Sequence, residues 1–435
     1  MPSREMAPNS EIHPESIRVE NKVYSAKKLA DLHPGGPLFI KAFSGRDASQ
    51  AFLTYHRRQF PHQRVKEAFE STDETVTYST DDHADFIDLC ERIEKILPRS
   101  KSFAPWHYYV KVAFIMGSVF SLEAYMHYTK SYNWQLFAVM GWFYALIGLN
   151  IQHDANHGAI SRNPVINRVL GASQNWIGGS AIAWIHQHVV QHHIHTNDVH
   201  LDPDIAGSIY IRLNPLKPLL KYHVVQHIYF FFLLALYGFS IVIQSLENVV
   251  SGAHHTPMSP LLKPHRVFET FMWSLFFLRW VITPVYQTGT FLTLLHSLPM
   301  YMVGGYYLAF FFSISHNFKG VHILEDTTRP SNKESSFLYK QVVSSSNVGG
   351  SFLCFMNGGL NYQIEHHLFP RISHTHYPKI APTVKAFCLE KNIPYVHFPT
   401  IGENIRSCTQ HLWDMGSNET PKNATIQAAK TLLVN

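Results

Sequence analysis

Cysteine is scarce in this sequence, and the positions present exclude a disulfide framework. Four cysteines occur among 435 residues, with no C-x-x-C pair between them, at Cys90, Cys354, Cys388 and Cys408. We expect them to be reduced thiols or buried core residues. The first thirty residues contain no apolar stretch, which excludes a cleavable signal peptide. There is no internal repeat and no low-complexity tract, so repeat architectures are excluded as well.

Charged residues are also few, and they are unevenly distributed along the chain. They make up 15% of the sequence, with a net charge of +5, whereas 46% of the residues are hydrophobic. The apolar residues gather in long runs, while residues 46–101 are densely charged. This distribution predicts a soluble domain joined to a membrane domain, and the length allows two or three domains.

The changes in pattern divide the chain into five segments. We expect a small α+β domain followed by an all-α polytopic membrane domain with about four transmembrane helices and a histidine-rich cap on the cytosolic side. The predicted segments are a disordered N-terminus (1–14), the small domain (15–75), a linker with an amphipathic helix (76–105), the membrane domain (106–410) and a C-terminal tail (411–435).

Five apolar stretches are candidates for crossing a membrane. The first two, residues 108–125 and 134–151, have the length of a bilayer span and form a hairpin. Basic residues before the first stretch place the N-terminus in the cytosol by the positive-inside rule. The remaining stretches are residues 224–243, 267–286 and 291–313, and two of these three must cross if the histidine clusters on either side of them act together.

The sequence leaves open which two of these later stretches cross. Arg279 and Pro284 lie in the middle stretch, which favours a position at the interface. If the outer two stretches cross instead, then Lys263, Arg266 and Arg279 all fall on the lumenal side, contrary to the positive-inside rule.

Two histidines in the small domain have the pattern of a haem-ligand pair. His33 begins a His-Pro-Gly-Gly turn, and His56 follows 23 residues later. Histidines on both faces of a haem leave the iron no open position, which is typical of an electron carrier. Residues 17–75 resemble cytochrome b5, which implies a haem b held by His33 and His56. The predicted apolar lining is Leu32, Leu38, Phe39, Phe43, Phe52 and Phe69.

Histidine is unusually abundant, with 29 residues against 31 acidic ones, and much of it lies in three clusters. The first cluster has the form H-x-x-x-H, the second H-x-x-x-H-H and the third Q-x-x-H-H. Histidines four apart share a face of a helix, and neutral imidazole binds iron, copper, zinc and nickel. The number of histidines is too large for one ion and suits two. These histidines are His153, His157, His188, His192, His193, His366 and His367.

The order and form of the clusters resemble the three histidine boxes of membrane fatty acid desaturases. Together with the cytochrome b5-like domain, Gln363 in place of a histidine is typical of the front-end group, over about residues 15–410. The resemblance implies that the seven clustered histidines bind a di-iron centre, joined by His316 at the end of the last apolar stretch. Gln363 binds iron directly or through water. His186, His195, His374 and His376 are interpreted as structural or supporting residues.

This resemblance predicts an oxygen-dependent oxidoreductase that inserts a cis double bond between an existing one and the carboxyl end of a polyunsaturated acyl chain. Electrons would come from NADH through cytochrome b5 reductase and the fused haem domain, with O2 as the oxidant. The expected site is the endoplasmic reticulum membrane, with the haem domain and boxes facing the cytosol. The sequence segments HDANHG, HQHVVQHH and GGLNYQIEHHLFP most resemble those of the delta-5 group, which implies action on a C20 chain.

Several alternatives remain open at this stage. They are a delta-6, delta-8 or delta-4 acyl desaturase, a sphingolipid long-chain-base desaturase, a lipid hydroxylase, and a membrane-anchored haem protein without di-iron chemistry. The complete histidine boxes argue against the last one. The sequence does not distinguish an acyl-lipid substrate from an acyl-CoA.

Overall fold

The computed structural model describes residues 12–76, 83–206, 209–254, 256–321 and 336–417. Most of the N-terminus expected to be disordered, and residues 418–435 of the expected tail, lie outside these ranges. The small domain, the membrane helices and the cap are all included, so the predicted order of α+β domain and all-α membrane domain is confirmed.

The small domain is built on a three-stranded antiparallel sheet. Its strands are β1 (Ser16–Val19), β2 (Lys22–Ser25) and β3 (Phe69–Thr72), in the order β1-β2-β3, with Ile17 opposite Tyr24. The helices are α1 (Ala26–Leu32), α2 (Leu38–Ala42) and α3 (Ser49–His56), followed by a 3-10 helix, His62–Ala68. The Ser25 side chain caps α1 by accepting from the Lys28 amide.

The predicted amphipathic helix is present as α4 (Ala84–Ile96), and it is packed rather than free. Phe86, Leu89 and Ile93 recur on one face and are buried in a core shared with the cap. Arg57 of the small domain donates to the carbonyl of Leu97 at 3.1 Å. The segment between the two domains therefore ties them together.

Within the described ranges, four helical stretches are long and apolar enough to cross a membrane, in agreement with the expected number. They are Arg99–Thr129, Trp134–Asn156, Lys221–Ser251 and Leu292–His316. The first stretch contains α5 (Trp106–Thr129), and the second contains α6 (Trp134–Ile147) and α7 (His153–Asn156). The third contains α13 (Gln226–Leu233) and α14 (Tyr237–Ser251), and the fourth contains α17 (Leu292–His296) and α18 (Leu298–His316). Short 3-10 and π-helical turns complete these stretches.

Glycines bring three of these helices into close contact. A Cβ on Gly141 of α6 would meet the backbone of Met300 in α18, and a Cβ on Gly305 would meet the backbone of Gly238 in α14. Such small residues let helix backbones approach closely within a membrane. The bundle is thus organised around α18, which ends at His316.

The middle apolar stretch forms α15 (Arg266–Phe277), a π-helical turn (Leu278–Ile282) and α16 (Thr283–Thr288), and Arg279 lies in the π-helical turn. Arg279 is only 8% exposed. Its guanidinium donates to Glu123 of α5, with Nη2 at 2.7 Å from Oε2, and to the carbonyl of Trp176 at 3.1 Å. Because its charge is paired inside the bundle, Arg279 does not exclude this stretch from the membrane.

The remaining elements form a cap at the end of the bundle. Its helices are α8 (Pro164–Gly171), α9 (Ser173–Trp176), α10 (Ala181–Trp184), α11 (His193–His195), α12 (Pro203–Ala206), α19 (Phe337–Val343), α20 (Ser351–Asn357), α21 (Gln363–Leu368), α22 (Tyr377–Glu390) and α23 (Ile401–Gly416). The short strands Ala253–His254 and Thr256–Pro257 (β4 and β5) pair antiparallel, and Asn347–Val348 and His397–Phe398 (β6 and β7) pair parallel.

Two further expectations concern the C-terminal boundary and the cysteines. The boundary placed at residue 410 is wrong, because it falls inside α23, whose last turns bury His411, Leu412 and Met415. Amphipathic spacing continues to the end of that helix, so the folded domain extends to the end of α23. All four cysteines are unpaired and buried, as expected.

Candidate haem pocket and histidine cluster

The predicted haem ligands face each other across a cavity. His33 follows the end of α1 and His56 ends α3, and their ring centroids are 5.9 Å apart. Nδ1 of His33 lies 2.7 Å from the Gly36 carbonyl, and Nδ1 of His56 lies 3.1 Å from the Phe52 carbonyl. A carbonyl only accepts, so each Nδ1 carries the proton and each Nε2 is left free to bind iron.

The cavity between these histidines has a volume of about 400 Å³, and its walls come from both domains. Of the predicted lining, Leu38, Phe39, Phe43 and Phe52 are present. Leu32 and Phe69 are not part of it; their side chains are 45% and 44% exposed. The membrane domain contributes further walls that sequence reasoning missed: Asn156, Gly158, Arg162, Pro164 and Arg371.

The electrostatics of this pocket suit a neutral ligand pair. Burial lowers the pKa of His33, and it lowers the pKa of His56 to about 3, with Arg371 adding to the effect. Neutral imidazoles, a mostly apolar wall and two inward-facing nitrogens are what a haem iron bound on both faces requires. The residues present therefore fit a haem.

All nine predicted metal-site residues come together at the junction of bundle and cap. α7 provides His153 and is followed by His157, while the end of α18 provides His316. A π-helix, Ile185–His192, and α11 provide the second cluster, and α21 provides Gln363, His366 and His367. Elements far apart in the sequence thus meet at one place.

The side chains divide into two groups. Nitrogens of His153, His157, His188 and His366 lie within 4.8 Å of one another, as do those of His192, His316 and His367. His193 joins the first group, with its Nε2 at 3.1 Å from Nε2 of His188 and 3.0 Å from that of His366. Gln363 joins the second, with its Nε2 at 2.9 Å from Nε2 of His316.

The second cluster does not have the α-helical geometry that its spacing predicts. In the π-helix, His188 comes beside His193, five residues on, rather than sharing a group with His192. A π-helix has about 4.4 residues per turn because its hydrogen bonds run from i to i+5, so partners five apart come closer than in an α-helix. Consequently His188 and His193 belong to the first group, and His192 belongs to the second.

Five of the histidines are fixed by a partner at Nδ1, which leaves Nε2 facing inward. Such partners set the tautomer and orientation of metal-binding histidines. The pairs are Tyr55 with His157 at 2.7 Å, Tyr377 with His366 at 3.1 Å, Gln341 with His367 at 3.0 Å, Asp202 with His192 at 3.1 Å, and the Ser344 carbonyl with His316 at 3.0 Å. Sequence reasoning missed all of these partners.

The inward-facing atoms fit metal ions. Nε2 of His153 and Nε2 of His157 are buried without a hydrogen-bond partner, which is costly unless an ion binds there. Oε1 of Gln363 is also buried without a partner, while its Nε2 is the atom that faces His316. Burial lowers the pKa values of His188, His193, His366 and His367 well below the usual range, so these imidazoles are neutral. Burial acts the same way on His192, but Asp202 and Asp204 outweigh it and raise its pKa to about 9.

The histidines interpreted as structural lie outside both groups, as far as the described residues extend. His374 bonds to Asp154 through Nδ1 at 2.9 Å, and His376 bonds to the Phe103 carbonyl at 2.9 Å. These contacts join the cap to the first two membrane helices.

A second cavity, of about 90 Å³, lies beside the histidines and is lined by residues of both the cap and the bundle. Its walls combine His153, His188 and His192 with Trp184 of the cap and with Tyr237 and Ser245 of α14. Leu308 and Phe312 of α18 complete the apolar side. The cavity therefore touches histidines of both groups as well as the membrane helices α14 and α18.

A helical membrane bundle with paired histidine groups at one end, and a haem-type domain docked there, defines a membrane oxidoreductase that combines haem and non-haem metal. Comparison with known proteins agrees. Residues 131–399 match the fatty acid desaturase family, and residues 12–92 match the cytochrome b5-like haem/steroid binding domain. The chain belongs to the fatty acid desaturase family, and its cofactors are a haem and a non-haem di-iron centre.

Similar proteins refine this assignment. An acyl-lipid (7-3)-desaturase of Rebecca salina is 41% identical and covers 94% of this chain and 92% of its own length. One of the same name from Diacronema lutheri is 40% identical, covering 93% and 91%. An acyl-lipid (8-3)-desaturase of Physcomitrium patens is 31% identical, covering 92% and 87%. The chain is thus a front-end fatty acid desaturase fused to a cytochrome b5-type domain.

Proposed function

We propose that the two histidine groups hold the two irons and that the cavity beneath them receives the acyl chain. The observation that supports this most directly is the pair of buried Nε2 atoms of His153 and His157 without hydrogen-bond partners, together with the close spacing of the nitrogens in both groups. The proposed ligands are His153, His157, His188, His193 and His366 for one ion, and His192, His316, His367 and Gln363 for the other. His33 and His56 are the proposed haem ligands.

The protein's own part in the reaction is to position, to exclude water and to supply electrons. When bound, the iron pair provides the oxidising power, from O2 and two electrons, to remove hydrogen from an unactivated methylene. Leu308 and Phe312 keep water from the acyl chain, and Trp184 covers it next to His188. Electrons would arrive from NADH through cytochrome b5 reductase and the pocket between His33 and His56. We place the haem domain and cap on the cytosolic face of the endoplasmic reticulum membrane.

We propose that the new double bond forms three carbons toward the carboxyl end from an existing one. The names of the relatives at 41% and 40% identity contain the pair 7-3, and those at 31% and 29% contain 8-3. If the first numeral gives the existing bond, the first pair corresponds to insertion at carbon 4. Similarity favours that position over the delta-5 product of a C20 chain, which stays as the second candidate because of the (8-3) relatives.

Expression in yeast cells fed separately with C18, C20 and C22 polyenoic acids tests the position. We expect a fed acid with a double bond at carbon 7 to gain one at carbon 4, located by mass spectrometry of derivatised lipids. A new bond at carbon 5 of an acid unsaturated at carbon 8 would support the second candidate instead. Separating phospholipids from acyl-CoA early in the time course identifies the acyl carrier.

The same lipid extracts separate the remaining alternatives. New unsaturation on the methyl side of existing bonds would contradict the front-end assignment. Hydroxylated acyl chains would indicate a hydroxylase, and altered long-chain bases with unchanged fed acids would indicate a sphingolipid desaturase. A double variant, His157→Ala with His366→Ala, serves as the inactive control.

A further inference from the structure

Between the haem pocket and the first histidine group there is a contact made by two side chains. Tyr55, next to His56 in α3, lines the haem cavity. Its hydroxyl lies 2.7 Å from Nδ1 of His157, and the two ring centroids are 6.3 Å apart. His157 in turn belongs to the first group. A continuous path thus joins the proposed haem ligand His56 to the proposed iron ligand His157: it runs through the peptide bond between His56 and Tyr55, along the Tyr55 side chain and across one hydrogen bond.

This contact is held in place by the docking of the two domains. The Tyr55 ring packs against Phe39, with centroids 5.6 Å apart. Behind it, residues of the haem domain share one buried core with Ile185 and Val189 of the π-helix that carries the second cluster. At the edge of this interface, Ser44 and Ser259 form a buried hydrogen bond of 3.0 Å. The position of Tyr55 is therefore set by packing on both sides.

We propose that Tyr55 is the bridge through which electrons pass from the haem to the iron held by the first group. In each transfer, ferrous haem iron is oxidised to ferric, and one non-haem iron is reduced by one electron. No atom moves: Nδ1–H of His157 donates to the Tyr55 oxygen, and the hydroxyl keeps its own proton. Two such transfers supply the two electrons of one turnover. The inference relies on the proposed ligand role of His157.

The chain contains a matched control for this proposal. His366, also in the first group, bonds through Nδ1 to the hydroxyl of Tyr377 at 3.1 Å. Tyr377 lies at the start of α22 and is not among the walls of the haem cavity. Tyr377→Phe therefore removes the same kind of bond from a ligand of the same ion without touching the proposed path.

The experiment follows haem oxidation in the full-length protein. Wild type, Tyr55→Phe and Tyr377→Phe, each with haem and iron bound, are reduced anaerobically with NADH and cytochrome b5 reductase. They are then mixed with O2 and substrate acyl lipid while the Soret band is recorded by stopped flow. The rate of iron-depleted protein is subtracted as direct oxidation of the haem. We expect Tyr55→Phe to slow the remaining rate by about tenfold or more, equivalent to about 1.4 kcal/mol in the barrier, and Tyr377→Phe to slow it much less.

Iron content and the haem spectrum, measured on the same samples, distinguish the outcomes. Slow oxidation in Tyr55→Phe with normal iron and an unchanged haem spectrum supports the bridge. A rate equal to wild type overturns it, and so does equal slowing in both variants. Loss of iron from Tyr55→Phe also overturns it, because Tyr55 would then act only by orienting His157. If His157→Ala retains both irons, the ligand assignment fails separately from the bridge.

Discussion

At the scale of single residues, the orientation of the clustered histidines is set by the side chains that hydrogen-bond to their outer ring nitrogens. Tyr55, Tyr377 and Gln341 each occupy the outer nitrogen of one imidazole and so direct the other nitrogen inward. Losing such a partner typically costs about 10–100-fold in metal affinity or in activity. The partners are therefore as much a part of the site as the ligands.

Gln363 is predicted to bind the second iron through its amide oxygen. Its nitrogen is placed toward His316 and His367, while Oε1 is buried without a partner. Since the two ends of an amide are interchangeable in such assignments, rotating it by 180° turns the oxygen toward the ion. Gln363→Ala should lower the iron content from two to about one per haem and reduce activity by more than about 100-fold. Gln363→His, which restores a ligand, should keep measurable activity.

Iron per haem, determined by metal analysis of the purified variants, checks this prediction. An alanine variant with two irons and normal activity would show that the amide is not a ligand. Gln341→Ala is the control, because Gln341 orients His367 without reaching the ion. It should weaken iron retention less than Gln363→Ala does.

His195 provides a contrast with the ligands. It is the last residue of α11, two residues after His193, and it belongs to neither histidine group. His195→Ala should therefore retain both irons and a substantial fraction of activity, whereas His157→Ala, His192→Ala and His366→Ala should each be inactive. Product formation in cell membranes, normalised to haem content, measures this. An inactive His195→Ala that has lost iron would place His195 among the ligands.

The sequence was sufficient to predict which histidines come together but not the partners that orient them. Histidine clusters at helical spacing are recognisable in the sequence, because few functions other than metal binding need so many imidazoles together. Tyr55 and Tyr377, by contrast, are ordinary tyrosines in the sequence, and they meet His157 and His366 only through tertiary packing. The division of the second cluster between two ions was missed because the spacing suggested an α-helix, while the chain forms a π-helix there.

At the scale of elements, the positions of the helix ends indicate which stretches cross the membrane. Just after α14, Ser259 bonds to Ser44 of the haem domain, and near the start of the stretch Gln226 donates to the carbonyl of Leu412 in the cap helix α23 at 2.8 Å. Both ends of Lys221–Ser251 therefore lie on the side of the haem domain and cap. The end of α16 lies beside the loop that connects α5 and α6. There, the side chain of Gln287 accepts a hydrogen bond from the hydroxyl of Tyr132, a residue of that loop, at 2.5 Å. We infer that residues 266–288 cross to the far side and that Lys221–Ser251 does not, which leaves Lys263 and Arg266 on the haem side, in keeping with the positive-inside rule.

Cysteine labelling in sealed vesicles tests this topology, since the four native cysteines are buried. With a membrane-impermeant maleimide, Lys263→Cys should label from the same side as Lys66→Cys in the haem domain. Thr290→Cys should label from the same side as Lys130→Cys, in the loop between the first two spans. If Lys263→Cys instead labels together with Lys130→Cys, then Lys221–Ser251 crosses and the inference is wrong.

At the scale of the whole molecule, the two cofactor sites are close but separately built. Among the described residues, the proposed haem ligands His33 and His56 come from the small domain, whereas the histidine groups come from the bundle and cap. The walls of the haem cavity nevertheless include Arg162 and Arg371 of the membrane domain. One domain thus holds the ligands while the other closes the pocket, so each site can be emptied without unfolding the other.

Selective removal of each cofactor tests this independence. His33→Ala takes away one axial ligand, so the purified protein should lack the bis-histidine haem spectrum and NADH-driven desaturation while retaining two irons. Chelation of the wild type should remove the irons and abolish desaturation, yet the haem should still be reduced by NADH and cytochrome b5 reductase, because His33 and His56 do not touch the histidine groups. Absorbance spectra and metal analysis of both preparations provide the measurement. Loss of iron together with haem in His33→Ala, with a lowered thermal midpoint, would show instead that haem binding holds the two domains together.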